Sequence, residues 1–165
     1  MEIHSHWMKY ALKEAEKAFD GKEVPVGCII VFENRIIAKA HNQVEMLLDS
    51  TAHAEMIALT SAFEALNSKQ LKGCSMYVTL EPCSMCAGAL VLSKLENLYF
   101  GAYDIKTGAC GSVLNITNNK NLNHKINVYG GILDTECSSL LKAFFNLKRN
   151  ASGDVIGNKN NFSIN

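Results

Sequence analysis

Apolar residues recur along this chain with two spacings, about 3.6 residues in some stretches and two in others, and the switches between them mark out its elements. From Trp7 to Phe19, Trp7, Ala11, Ala15 and Ala18 share one stripe with Met8, Leu12 and Phe19 beside it, which predicts an amphipathic helix closed by Gly21. Val26-Gly27-Cys28-Ile29-Ile30-Val31-Phe32 is an apolar run of strand length. Glu33-Asn34 joins it to Arg35-Ile36-Ile37-Ala38-Lys39-Ala40 as a hairpin. A second helix is expected from Ala52 to Leu66, with Met56, Leu59, Phe63 and Leu66 inward. Met76-Tyr77-Val78-Thr79-Leu80 reads as a third strand leading into a helix that starts at Pro82 and turns Ala87, Leu90 and Val91 inward.

Leu98-Tyr99-Phe100 and Ile126-Asn127-Val128-Tyr129 are short fourth and fifth strands, and Ser138 to Lys148 a closing helix. The order α-β-β-α-β-α-β-β-α, a hairpin followed by strand-helix alternation, predicts a mixed five-stranded sheet covered by helices on both faces, a three-layer α/β/α architecture. Residues 1–149 are expected to form one domain. Residues 150–165 are rich in Asn, Gly and Ser and are expected to be a polar, mobile tail. No internal repeat is evident.

Two short motifs carry the chemistry. His53-Ala54-Glu55 and Pro82-Cys83-Ser84-Met85-Cys86 together supply one imidazole, two thiols and a carboxylate. Zinc takes tetrahedral nitrogen and sulfur donors, and a catalytic zinc keeps one of its four positions open, so His53, Cys83 and Cys86 suffice for one ion. Cys83 and Cys86, at i and i+3, face one way on a helix beginning at Pro82, whose unpaired N–H groups favour thiolates. His53 and Glu55 fit best at the start of a helix just after Thr51, where both can reach past its end. Three-ligand zinc lowers the pKa of its bound water to about 7. Attack on an aminated heteroaromatic carbon also needs a proton carrier, and Glu55 is the carboxylate placed for it. The alternative is a structural zinc with Cys74, Cys110 or His41 as fourth ligand and Glu55 at the surface.

Composition adds bounds. The 165 residues, 48% of them hydrophobic, suit one soluble domain with a sizeable core. No apolar run reaches membrane-span length, and Met1-Glu2-Ile3-His4-Ser5-His6 lacks the pattern of a signal peptide, so a cytoplasmic protein is expected. Cys28, Cys74, Cys110 and Cys137 then read as reduced core fillers. Sixteen basic and sixteen acidic side chains cancel, so no global positive charge advertises nucleic-acid binding, although a local patch could serve a small RNA target.

His-x-Glu followed by Pro-Cys-x-x-Cys is the signature of zinc nucleobase deaminases. The chain resembles the cytidine-deaminase-like superfamily and, within it, the bacterial tRNA adenosine deaminases. The similarity covers most of residues 6 to 149. It includes Glu23-Val24-Pro25-Val26-Gly27, Ala40-His41-Asn42, Glu81-Pro82-Cys83-Ser84-Met85-Cys86-Ala87-Gly88-Ala89, Phe100-Gly101-Ala102-Tyr103-Asp104-Ile105-Lys106-Thr107-Gly108, Gly111-Ser112, Asn123-His124 and Phe144-Phe145. The resemblance implies one zinc per subunit on His53, Cys83 and Cys86, Glu55 as proton shuttle, deamination of a tRNA wobble adenosine, and a homodimer. Asn42 resembles the family asparagine that contacts the target nucleoside, with a hairpin-end turn residue as its ordinary role. Asp104 would lie near the RNA backbone or cap a loop, and Phe144 and Phe145 would wall in anticodon bases or pack in the core, at most one being exposed. Lys106 and Arg149 are phosphate contacts or plain solvated charges. Gln43-Val44-Glu45, where relatives often carry arginine, and Ser50, where proline is common, depart from the pattern. Two other functions stay in view: deamination of a free base or nucleoside of the guanine or cytosine type, and a non-catalytic zinc-stabilised RNA-binding subunit.

Overall fold

The computed structural model describes residues 2–157, and side chains up to residue 152. Helix α1 (Glu2–Asp20) precedes a hairpin of β1 (Gly27–Phe32) and β2 (Arg35–His41), whose turn residues Glu33 and Asn34 both have positive φ, 46° and 60°. Positive φ at both positions matches the turn twist to the strand twist. Short helix α2 (Val44–Leu47) comes next, then α3 (Ala54–Leu66), β3 (Ser75–Leu80), α4 (Ser84–Leu92), β4 (Asn97–Ala102), β5 (Asn127–Tyr129) and α5 (Asp134–Gly157).

The strands form one five-stranded sheet in the order β2-β1-β3-β4-β5. β1 is antiparallel to β2 and β3, whereas β3, β4 and β5 run parallel. The expected mixed sheet is therefore present, and strand alternation builds its two cores. Cys28, Ile30, Met76, Val78, Leu98 and Phe100 pack on the side of α3 and α4. Ile29, Val31, Tyr77 and Ala102 pack on the side of α1 and α5, with Met8, Ala11 and Cys137. α1 lies so close to β1 that a Cβ on Gly27 would sit 2.0 Å from the Ala11 carbonyl oxygen. Only glycine permits that approach. Cys28, Cys74, Cys110 and Cys137 are all buried, and burial pushes the Cys74 thiol up to about 11 and those of Cys110 and Cys137 up to about 12.

Four expectations change. The inner face of α3 is small rather than large: Ala54, Ala58, Leu59 and Ala62 are buried, while Met56, Phe63 and Leu66 pack at its flanks. Alanines let the helix settle near the sheet. α4 starts at Ser84 rather than Pro82, because the Pro82 carbonyl accepts from Ala109 N–H at 2.9 Å and Cys83 makes a bridge with Gly108. The four-residue α2 is too short to show a helical period. Finally, residues 150–157, expected in a tail, continue α5, which begins at Asp134 rather than Ser138; residues 158–165 lie outside the described residues.

Candidate active site

The two motifs meet at the carboxyl end of β3, where α3 and α4 begin. His53 is the residue just before α3, with an extended backbone (φ −71°, ψ 151°), and Cys83 occupies the same place before α4 (φ −72°, ψ 176°). Neither side chain caps its own helix, so both are free to turn toward a shared point. Cys86 reaches that point from the first turn of α4 and is fully buried. Zinc bonds of about 2.3 Å to sulfur and about 2.1 Å to nitrogen at tetrahedral angles would hold the donors about 3.6 Å apart. The Sγ atoms of Cys83 and Cys86 each lie 3.6 Å from His53 Nδ1. The donor set thus fits zinc without rearrangement. Among the described residues no fourth His, Cys, Asp or Glu joins these three, whose ligand atoms lie within 4.8 Å of one another. Cys74, Cys110 and His41 belong elsewhere: Cys74 and Cys110 to the core, His41 Nδ1 3.5 Å from Glu14.

The electrostatics favour a cation. The Cys86 thiol beside Cys83 holds the Cys83 thiol down at about 4, with His53 helping, while the same contact and burial raise Cys86. Hydrogen bonding to Cys83 raises His53 despite its burial. A metal displaces such shared protons, since it binds thiolate and neutral imidazole. Glu55, in the first turn of α3, is 3% exposed, and burial pushes its carboxyl up to about 7 against the pull of its own backbone N–H and of His53.

His53, Glu55 and Cys83 line a pocket of about 270 Å³ together with Asn42, Glu81, Asp104, Thr107 and Lys148. Asn42 is buried; its Nδ2 donates to the Val24 carbonyl at 3.3 Å, but its Oδ1 has no hydrogen-bond partner among the described residues. A buried acceptor left unpaired on a pocket-lining residue calls for a partner, and a donating ligand in the pocket could be one. Asp104 lines the pocket while capping its own loop: Oδ1 accepts from the N–H groups of Lys106 (2.9 Å) and Thr107 (3.1 Å), and Oδ2 from the Thr107 hydroxyl (2.6 Å). Against its burial, these bonds hold it below the usual carboxylate range.

The expected aromatic pair separates. Phe144 is buried against Phe19, ring centroids 5.9 Å apart, so it is a core residue and offers no face to a base. Phe145 is 44% exposed. Neither Phe145 nor the exposed Lys106 lines the pocket, and Arg149 pairs with Asn146 on its own helix. Sequence reasoning missed Lys148, which does line it and lies 5.4 Å from the Phe144 ring centroid. It also missed Glu23, whose carboxylate accepts from the N–H groups of Glu45 (3.0 Å) and Met46 (2.7 Å) and so pins the open start of α2 beside the pocket.

Residues 1–102 match the zinc-binding region of cytidine and deoxycytidylate deaminases. The chain is 48% identical over 139 residues to a tRNA-specific adenosine deaminase of Bacillus subtilis, covering 84% of this chain and 86% of that protein. It belongs to the tRNA-specific adenosine deaminase family of zinc deaminases. The Aquifex aeolicus member is 52% identical over 145 residues, 88% of this chain and 95% of its own. A solved structure from work on A-to-I editing by tRNA:A34 deaminases superposes with a TM-score of 0.79 at 40% identity, over 82% of this chain and 98% of that one. A guanine deaminase from Nitrosomonas europaea shares the fold more distantly, with a TM-score of 0.71 at 26% identity over 83% and 81% of the two chains. Zinc is accordingly the cofactor of this deaminase family member.

Proposed function

We propose that the protein deaminates adenosine to inosine hydrolytically at the wobble position of a tRNA anticodon. The observation that carries the chemistry is a zinc-competent His53/Cys83/Cys86 triad, two of whose members line one pocket with the buried Glu55 and with Asn42, whose Oδ1 is unpartnered among the described residues. The identity of 48% and 52% to tRNA-specific adenosine deaminases, against 26% to a guanine deaminase, favours the tRNA substrate over a free base.

His53 Nδ1 and the thiolates of Cys83 and Cys86 would hold the zinc, which would supply a water activated near neutrality. Glu55 takes a proton from that water and gives it to the adenine ring nitrogen beside C6. A carbon–oxygen bond forms at C6; Glu55 then takes the remaining proton from that oxygen and passes it to the exocyclic amine, and the carbon–nitrogen bond breaks to release ammonia, leaving the C6 oxygen as the carbonyl of inosine. A carboxyl lifted to about 7 by burial exchanges protons readily at neutral pH. Asn42 orients the nucleoside, its free Oδ1 accepting a hydrogen bond. The base must leave the anticodon stack to reach the pocket, at less cost from a loop than from a duplex. Asp104 shapes the wall, and Lys106, Lys148, Arg149 and Phe145 stand on the surface that would receive the loop.

The reading includes a cytoplasmic homodimer with one zinc per subunit. It is supported by the exposed apolar run Met46, Leu47 and Leu48, the last 92% exposed, beside the pocket-lining Val44 and Glu45. Among the described residues no helix is long and apolar enough to cross a membrane.

Incubation with an anticodon stem-loop carrying a wobble adenosine, alongside free adenosine, guanine and cytidine, tests the substrate. Inosine in the stem-loop alone is expected, because the loop supplies the binding energy that orients the base. Conversion of guanine or cytidine with an inert stem-loop would overturn the reading.

A further inference from the structure

Glu81 separates the end of β3 from the zinc motif, and it is 2% exposed. Its carboxylate is surrounded by donors from a single distant segment. Oε1 accepts from the N–H groups of Cys110 (3.1 Å) and Ser112 (3.0 Å); Oε2 accepts from the N–H of Asp104 (3.1 Å) and from the Ser112 hydroxyl. The segment closes tightly around it. A Cβ on Gly108 would lie 2.5 Å from Glu81 Oε2 and 2.5 Å from the Asp104 carbonyl oxygen, so the loop packs against the carboxylate through a bare backbone.

The same segment is fastened to the residues that follow Glu81. Ala109 N–H donates to the Pro82 carbonyl at 2.9 Å, and Cys83 bridges to Gly108. Residues 103–126 link the parallel strands β4 and β5 without a helix or strand of their own; their backbone hydrogen bonds run mostly within the segment, such as Val113 and Leu114 N–H to the Gly108 carbonyl and Ile116 N–H to that of Ala109. Yet Asp104 and Thr107 from this connection line the pocket opposite His53 and Glu55. Something must fix an irregular wall relative to the zinc ligands, and the donors around Glu81 do so from one side chain.

We propose that Glu81 is a positioning residue of the deamination: it clamps the Asp104–Ser112 segment to the β3–α4 junction that carries Cys83, and so sets the distance between the pocket wall and the metal centre. The proposal rests on the reading of this pocket as the deaminase site. Glu81 does not touch the reacting atoms or the metal. Its loss leaves the peptide N–H groups of Asp104, Cys110 and Ser112 without their acceptor, that of Cys110 in a buried place, which loosens the wall while the ligands stay in place.

Three variants form a graded series. Ser112→Ala removes one donor and keeps the three peptide bonds. Glu81→Gln retains the acceptor for Cys110 and Ser112 but turns an amide NH₂ toward the Asp104 N–H. Glu81→Ala removes every acceptor. For the substrate that the wild type turns over, kcat/KM is expected to fall a few-fold, roughly tenfold and roughly a hundredfold in that order, the scale of a misplaced reacting group. Zinc should stay at one per chain in Ser112→Ala and Glu81→Gln, and the amides of Asp104, Cys110 and Ser112 should exchange hydrogen faster than in the wild type by matching steps. The exchange readout needs no substrate, so it reports on the clamp even if the stem-loop proves inert and the tRNA reading fails. Wild-type kcat/KM or unchanged amide exchange in Glu81→Gln would overturn the proposal. So would an activity loss matched by zinc loss in Ser112→Ala and Glu81→Gln, which survive as tests should Glu81→Ala fail to fold.

Discussion

Glu55 and Glu81 are both buried carboxylates on the same pocket, 3% and 2% exposed, yet the chain treats them oppositely. Among the described residues Glu55 has its own backbone N–H and the Cys86 thiol for partners, and burial lifts it to about 7. Glu81 accepts from three peptide N–H groups and a hydroxyl. A side chain with few donors can give and take a proton at little cost, whereas one enclosed by donors is held in a single place. The contrast separates moving a proton from holding a wall. Glu23, enclosed by the amides of Glu45 and Met46, belongs with Glu81 and holds the other side of the pocket.

Removing the metal should have the largest effect. Cys86→Ala takes away a fully buried ligand, and zinc content measured by elemental analysis should fall to near zero with deamination at background. One zinc per chain in that variant would mean another donor completes the site. Asn42→Ala should cost about 1–3 kcal/mol of transition-state binding, roughly five- to 150-fold in kcat/KM, without releasing zinc. Steady-state kinetics beside metal analysis decides whether Asn42 works with the substrate or merely ends the hairpin. The two phenylalanines give the smallest functional change and a clear stability difference. Phe144→Ala should destabilise by about 3 kcal/mol in denaturant unfolding, and Phe145→Ala by less than about 1 kcal/mol. Equal losses would place both rings in the core and remove Phe145 from the RNA-facing surface.

What was legible in the sequence follows from how far each feature reaches along the chain. The strands and the main helices show because their periods are local, and the metal triad shows because two short motifs carry it. α2 spans only Val44–Leu47, less than a period's worth of evidence, and the Asn-rich composition after residue 149 hid the continuation of α5 to Gly157. Alanine burial in α3 escaped notice because large residues were expected inside, where closeness of helix and sheet selects small ones. Glu81 lay within a recognised motif, but its partners are 23 to 31 residues away and, the Ser112 hydroxyl apart, are peptide groups that carry no side-chain signal. Glu23 is alike, with partners 22 and 23 residues on. Phe144 and Phe145 are adjacent on one helix, and only packing against Phe19 decides which is buried.

The most direct test of the division of labour is single-turnover deamination of a wobble-adenosine stem-loop by Glu55→Gln protein carrying its full zinc. The substitution keeps shape and removes the proton carrier. A rate lowered by about 10³-fold or more, with one zinc per chain and unchanged amide exchange at Asp104, Cys110 and Ser112, is the expected result. A near-normal rate at full zinc would contradict the account, because protons would then be moving through some other group.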